Sequence, residues 1–299
     1  NLGNKVVDLE RKTKIEANAC SGLITERIRN FLNWPDSLIE NKIDYCQIHF
    51  PKKTITLNFQ PPYFAISRQK INEELFKIAK NAGVEILFNQ AIEKIPQNFD
   101  RIIGCDGALS KTRELLGLTQ PYFWLGLQIF LPIKNHSNFV ETWPVKSGFF
   151  WKIPRGSQVE YGALGSLNSI SKEFEKFCQN KNIDFNKSSL KSALIPQGLI
   201  LPKNKNITLC GDSVGLTKPW SGGGIIWGLT AAKILIKNFP DFEKYRREVR
   251  SFFWPKIFLG RIANPLIYLL GKEFSFLLPS KITYDNDFLS FKGFLYFIR

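Results

Sequence analysis

The residues best placed to do chemistry lie at 211–224, GDSVGLTKPWSGGG, followed directly by the small and apolar run IIWGLTAAKILI. Asp212 stands where the strand-like stretch NITLCGD ends, and Gly222, Gly223 and Gly224 stand where a helix begins. Ligands of open α/β sheets collect at the carboxyl ends of the strands, so an acid there can accept hydrogen bonds from ligand hydroxyls. Unpaired N–H groups at the helix start, reinforced by the helix dipole, can face an electron-rich ring oxygen that gains negative charge on reduction. In isolation the same loop is equally a glycine-rich turn adopted for helix packing. GGGIIWG also fits a GxGxxxG spacing, but no strand with a terminal acid arrives about 20 residues later; FPDFEKYRREVR at 239–250 reads as polar helix. A P-loop is excluded because Pro219 follows Lys218 where the pattern requires GK[ST].

The elements that must position this loop follow from periodicity. Val6 to Glu10 reads as a short buried strand ending in an acid, after NLGNK, the close of a helix with a glycine stop. The chain begins with Asn1 and contains no methionine, so the first strand and its loop are expected upstream. Residues 43–59 alternate as two strands around a PKK turn, and Ser67 caps an amphipathic helix with apolar residues at 71, 75, 78, 79 and 82 and a stop at Gly83. VEILF and AIEKI read as strands, and DRIIGCDG at 100–107 as a strand entering a turn. From about 121 to 200 longer β-like runs, interrupted by the helical SKEFEKFCQN, predict an antiparallel sheet. The expected organisation is α/β: a dinucleotide-type domain in two parts, 1–118 and 201–240, an antiparallel-sheet domain at 119–200, and a helical, strongly aromatic C-terminal region at 241–299.

Composition narrows the partners. A chain of 299 residues can bury a large core. Its 26 phenylalanines and seven tryptophans fit a Phe-rich core or an aromatic-lined cavity. The net charge of +15 would attract anionic headgroups or phosphorylated substrates. It is spread thinly, and no segment resembles a basic nucleic-acid arm, so no nucleic-acid partner is expected. Five unpaired, widely spaced cysteines fit a reduced, cytoplasmic compartment. With only His49 and His136 available, no metal site is expected. No uncharged stretch approaches a spanning length of about 20 residues.

The glycine loop has companions. Glu10 ends its strand where an acid grips a ribose. Cys20, Ser21 and Gly22 form a small-residue loop, Ser67 and Arg68 open a helix, and Asp106 and Gly107 sit at a strand end with Ser110 and Arg113 behind them. In this order, Glu10, ACSG, Arg68, GCDGALSKTR and GDSVGLTKPWSGGGI, the chain resembles the geranylgeranyl reductase family of FAD-dependent oxidoreductases, within the p-hydroxybenzoate hydroxylase-like group, over roughly residues 6–235. The resemblance implies an FAD/NAD(P)-binding Rossmann-like domain whose first βα unit, with the pyrophosphate-binding GxGxxG loop, lies upstream of Asn1. It implies that Glu10 binds the adenosine ribose and that Ala19, Cys20 and Gly22 line the flavin. Arg68 and the backbone of Ala91 hold more of FAD, with Asp106 and Gly107 in the same cofactor set. Asp212 takes the ribityl and phosphate region, and Gly223, Gly224 and Ile225 lie against the isoalloxazine.

Within the expected sheet domain, GFFWKIPRGSQVEYGALG at 148–165 resembles the family's lipid-substrate motif YxWxFP followed by GxG. Phe149 replaces the tyrosine and Ile153 the second aromatic; Trp151 and Pro154 match. The substrate set implied is Phe149, Trp151, Ile153, Pro154 and Trp220. The same six residues also approach the WxWxIP of flavin-dependent halogenases, and Trp151 and Pro154 would serve equally as core residues at a strand end. Cys20 is the candidate catalytic residue, as proton donor, although a lone cysteine is usually a small buried hydrophobe. Lys256, Arg261 and Lys272 stand among bulky apolar residues at 252–279, which reads either as a peripheral membrane surface or as a helical cap over an apolar cavity. The activity implied is reduction of isoprenoid C=C bonds in a prenylated lipid, with NAD(P)H or ferredoxin as electron donor. The alternatives are a flavin monooxygenase or halogenase, and a non-catalytic lipid-binding relic without FAD.

Overall fold

The computed structural model describes residues 3–17, 19–185, 189–285 and 287. Strand β1 (Val7–Leu9) falls within the expected Val6–Glu10, is shorter and only half-buried, and is followed directly by Glu10; of the preceding NLGNK, Asn1 and Leu2 lie outside the described residues. After β2 (Leu23–Thr25) come the two strands around the PKK turn, β3 (Ile39–Phe50) and β4 (Lys53–Ile66), both longer than their alternation implies. Helix α1 (Arg68–Asn81) follows, with Ser67 at the N-cap position but making no side-chain capping bond. The helix is held instead by Ile71, buried against Phe64 and Ile66 of β4, and Gly83 turns the chain in the left-handed region beyond its end.

Strand β5 (Glu85–Leu87) lies parallel to β1. AIEKI forms no strand: β1 is the only partner that β5 has among the described residues, and Pro96 directly follows the segment, so its alternation has no ladder to join. Strand β6 (Ile102–Gly104) and the short helix α2 (Lys111–Leu115) lead into β7 (Tyr122–Leu131), β8 (Phe139–Val145), β9 (Gly148–Pro154) and β10 (Val159–Ser166). Helix α3 (Ile170–Asn180), β11 (Lys191–Gln197), β12 (Ile207–Leu209), α4 (Ile225–Asn238), α5 (Phe242–Glu273) and β13 (Lys281–Tyr284) complete the path.

The large sheet runs β11-β7-β10-β9-β8-β3-β4-β13, with β2 also on β4. It therefore takes strands from both sides of residues 119 and 200, and the C-terminal region is not wholly helical. The β3/β4 hairpin joins because its apolar face has a partner: Ile43, Tyr63 and Ala65 pack with Val140 and Ile153 of β8 and β9. The dinucleotide-type half is much slighter, consisting of two parallel pairs, β1 with β5 and β12 with β6. Its support is the α4/α5 pair, in which Trp227, Tyr245, Val249 and Phe253 are fully buried with Leu209 and Val214. No described helix is long and apolar enough to cross a membrane.

Candidate functional site

One continuous cavity of about 1870 Å³ opens between the two halves. One wall is made by the ends of β1, β6 and β12 and the glycine loop, and the other by β9, β10 and their neighbours; α5 closes it with Gly260, Ala263 and Asn264.

The dinucleotide-type wall is held by side chains bonded to backbone. Asp106 accepts from Ser110 Oγ at 2.6 Å and from Thr112 N and Oγ1 at 2.8 and 3.0 Å. Ser110 Oγ in turn caps α2 through Arg113 N at 3.0 Å. The Arg113 side chain, fully buried, donates to Ser213 O and Ala108 O, both at 2.7 Å, and to Gln120 Oε1 at 2.6 Å. It buckles the loop after β6 to the loop after β12. Asp106 thus shapes its own loop, and Glu10 does the same, since Oε1 accepts from Lys12 N at 2.9 Å.

Asp212 is exposed and lines the cavity. Burial of the surroundings raises its carboxyl above the usual range, and the positive charge of Arg68 opposes that rise. The two residues thus influence one another electrostatically across the cavity wall. Gly211 has φ +72°, and a Cβ built there would meet nothing within 4 Å. The backbone leaves space that no part of the chain fills. Gly224 differs, because its Cβ would fall 2.9 Å from Asp212 Oδ1; the missing side chain lets the helix start sit against the acid.

Lys218 is buried in the same loop and lines the cavity. Its Nζ lies 3.2 Å from Asp287 Oδ1, whose other oxygen accepts from Thr25 Oγ1 at 2.5 Å. Asp287 is fully buried and its carbonyl accepts from Trp227 Nε1 at 2.8 Å, so the chain beyond β13 is tied to the glycine loop.

The sheet wall depends on a buried charge cluster. Trp151 lines the cavity and donates from Nε1 to Glu160 Oε1 at 3.0 Å. Glu160 Oε2 accepts from Arg155 at 2.8 Å, and the same guanidinium reaches Glu40 Oε2 at 2.7 Å and Ser21 O at 2.5 Å. Arg155 therefore joins the indole wall to the ACSG loop. Burial pushes the Glu160 carboxyl up to about 7, against the opposing pull of Arg155 and the indole N–H. Gly162 stands opposite Trp151 on β10, and a side chain there would collide with the indole ring.

Of the residues named from the sequence, Glu10, Ala19, Cys20, Arg68, Asp106, Gly107, Asp212, Gly223, Gly224 and Ile225 line this one cavity, as do Phe149, Trp151, Ile153 and Trp220. Three expected residues do not. Gly22 is left-handed at φ +59°, and its Cβ would strike Ile66 O; it is required by close contact with β4, whose Ile66 N donates to Gly22 O at 3.0 Å. Ala91 is exposed beside lining Gln90 and Ile92. Pro154 is buried, with its carbonyl accepting from Asn41 Nδ2 at 3.0 Å. Cys20 Sγ accepts from Gly22 N at 3.4 Å, so the candidate proton donor also braces its turn. Sequence reasoning missed the Arg155–Glu160–Glu40 cluster. Its only local signal is a pair of charges, Arg155 and Glu160, set among otherwise buried strand residues.

The fold is shared with solved structures. A geranylgeranyl bacteriochlorophyll reductase-like protein from Thermoplasma acidophilum superposes with a TM-score of 0.79 at 16% identity, over 98% of this chain and 89% of that one. A tryptophan 6-halogenase from Streptomyces toxytricini gives 0.68 at 13%, over 83% and 70%. A probable FAD-dependent monooxygenase from Pseudomonas aeruginosa gives 0.66 at 14%, over 92% of each. The fold is that of the FAD-dependent oxidoreductases, in agreement with the resemblance carried by Glu10, ACSG, Arg68, GCDG and the glycine loop. In sequence, the chain is 27% identical over 233 residues to an uncharacterized protein of Methanocaldococcus jannaschii, matching 66% of this chain and 57% of that protein's length. No family model matches the chain. No group of three or more potential metal ligands occurs among the described residues.

Proposed function

We propose that the chain is an FAD-dependent reductase of the geranylgeranyl reductase kind, saturating C=C bonds of isoprenoid chains in a membrane lipid or its precursor. The observation that supports this most is the continuity of the cavity. The space bounded by Glu10, Arg68, Asp212 and the glycine loop runs on to Phe149, Trp151, Ile153 and the inner side of α5. A dinucleotide and a long apolar chain both find suitable partners in it.

The residues fit FAD: the open space beside Gly211 admits a ligand where the backbone turns, and acids stand at two strand ends. Glu10 and Asp212 accept from ribose and ribityl hydroxyls, and Arg68 offsets anionic charge. The N–H groups at the start of α4, with Gly223, Gly224 and Ile225, favour negative charge on the ring. Reduced FAD supplies a hydride for one alkene carbon. Cys20 or an ordered water holds the proton for the other, and the apolar wall of Phe149, Trp151, Ile153 and Trp220 keeps bulk water from the reacting bond.

The exposed side of α5 and the turn after it carry Trp254, Phe258, Ile262, Leu266, Leu269, Phe276 and Leu277, with Arg261 and Lys272 beside them. That face suits a peripheral seat on an anionic, cytoplasm-facing bilayer, from which a prenylated lipid would enter past α5. NAD(P)H or ferredoxin is the proposed electron source.

The halogenase or monooxygenase reading expects a lysine at the cavity. Lys218 is there, but its pairing with Asp287 at 3.2 Å favours a structural role. The deciding experiment records the visible spectrum of the purified protein, then incubates it anaerobically with dithionite and a geranylgeranylated lipid. A gain of two hydrogens per reduced double bond is expected. Bound flavin without reduction of any prenyl substrate overturns the reductase, oxygen-dependent product points to the monooxygenase or halogenase, and absence of flavin to a non-catalytic lipid binder.

A further inference from the structure

Two cysteines sit side by side at the base of the cavity and have no part in the reaction above. Strands β6 and β12 are parallel and in register at Gly104 and Leu209. The ladder continues one residue further through Cys210 N, which donates to Gly104 O at 3.0 Å. Cys105 and Cys210 are therefore neighbours across the pair, where adjacent parallel strands run about 4.8 Å apart, within the Cα separation that a disulfide spans. Both are free thiols; Cys105 is exposed into the cavity, and Cys210 is buried but also lines it. The two thiols are close enough to perturb one another, Cys105 being raised and Cys210 lowered by the contact, and Tyr245 stands beside Cys210. Tyr245 Oη also lies 3.1 Å from Leu209 O, which fixes the phenol at this strand end.

We propose that Cys105 and Cys210 form a reversible cross-strand disulfide, a thiol oxidation site for peroxides that governs the shape of the cavity floor. In the first step Cys210, as thiolate, attacks one peroxide oxygen; the O–O bond breaks and hydroxide leaves, taking a proton to become water. Cys105 then attacks the Cys210 sulfur of the resulting sulfenic acid. The S–O bond breaks, the S–S bond forms, and the proton from Cys105 leaves with hydroxide as a second water. Two thiols lose two electrons in total, and one hydrogen peroxide becomes two waters. The surroundings of Cys210, Cys105 foremost, hold its thiol below the ordinary range, while the same contact pushes the Cys105 thiol up. The order of attack follows from that asymmetry.

The bond would draw together the two strand ends from which the Asp106–Gly107 and Gly211–Asp212 loops diverge. Only its consequence for cofactor binding rests on the FAD reading; the disulfide itself does not. The test treats the whole protein with hydrogen peroxide, then alkylates, digests and maps it by mass spectrometry, with FAD affinity measured by fluorescence before and after. Expected are a loss of two hydrogens, a linked pair of peptides containing Cys105 and Cys210, and a severalfold weaker FAD affinity restored by a thiol reductant. Cys105→Ser, at the exposed member of the pair, should abolish the linked peptides and stop the oxidised protein at the Cys210 sulfenic acid, trapped by dimedone. Alkylation of both cysteines after peroxide treatment, while Cys20 oxidises, overturns the proposal. A linked pair with unchanged FAD affinity overturns control of the floor alone. A reduced protein that binds no FAD but forms the link removes the cofactor reading and leaves the site standing.

Discussion

Along the dinucleotide-type wall, three-residue strands end in loops that present backbone and small residues to the cavity, while the side chains that set those loops, Arg113 and Ser213, lie behind them. Along the sheet wall, strands of seven and eight residues present Phe149, Trp151 and Ile153 directly, over the buried ions Arg155 and Glu160. One wall leaves space for a ligand and the other fills space with large side chains. The difference teaches where each is vulnerable: the first loses ligand affinity when a small residue grows, and the second loses the fold when a charge loses its partner.

Arg155→Leu attacks the second wall at its base. It strands Glu160 with no cationic partner and frees Ser21 O and Glu40. Breaking a buried pair from one side costs about 3–5 kcal/mol, the largest effect expected, visible in urea unfolding. Wild-type stability would show that the cluster does not hold the wall.

Gly22→Ala sharpens the comparison, because Gly22 lies in the ACSG loop yet serves β4. A left-handed alanine costs about 1–2 kcal/mol, and displacing the bond from Ile66 N adds about 1 kcal/mol. A loss of about 2–3 kcal/mol in the same assay, the sum of those two terms, is expected. Full stability with weakened flavin binding would return Gly22 to the cofactor set.

These two residues also mark how far the sequence was legible. Asp212, Gly223 and Gly224 could be placed at the cavity because strand-end acids and helix-start glycines are local patterns. Arg155 could not, because it is defined by Glu40, 115 residues away, and by Ser21 O, 134 residues away. The same distance problem hid the sheet: β3 lies parallel to β8 from Tyr45 with Phe139 onward, so the hairpin's membership depends on a pairing that no local alternation encodes. AIEKI shows the converse, an alternation with no partner strand. Gly22 packs on β4 and does not line the cavity; a motif position records that glycine is needed and not whether a ligand or the backbone needs it.

Glu160→Gln tests the charge itself. With its carboxyl pushed to about 7 when folded against an ordinary 4.5, the contribution of Glu160 is fully present below pH 4.5 and lost as pH rises through 7. The raised value corresponds to roughly 3 kcal/mol across that window. The wild type should therefore lose stability relative to Glu160→Gln between about pH 5 and 8. Parallel stability curves would mean that Arg155 keeps Glu160 ionised throughout.

The smallest effect on the fold, and the most telling for the first wall, belongs to Gly211→Ala. Gly211 and Gly22 share the left-handed conformation, at φ +72° and +59°, yet a Cβ on Gly22 meets Ile66 O while one on Gly211 meets nothing within 4 Å. Only the conformational term remains, about 1–2 kcal/mol in unfolding free energy. The methyl would project into the cavity beside Asp212, where the FAD reading places the ribityl and phosphate region. Loss of about 1.4 kcal/mol of contact there is a tenfold weaker affinity, read by flavin fluorescence titration. A near-wild-type fold with at least that loss supports a wall shaped for a ligand. Unchanged flavin affinity would mean that the space beside Gly211 is not where the cofactor lies, and the assignment of Asp212 would fall with it.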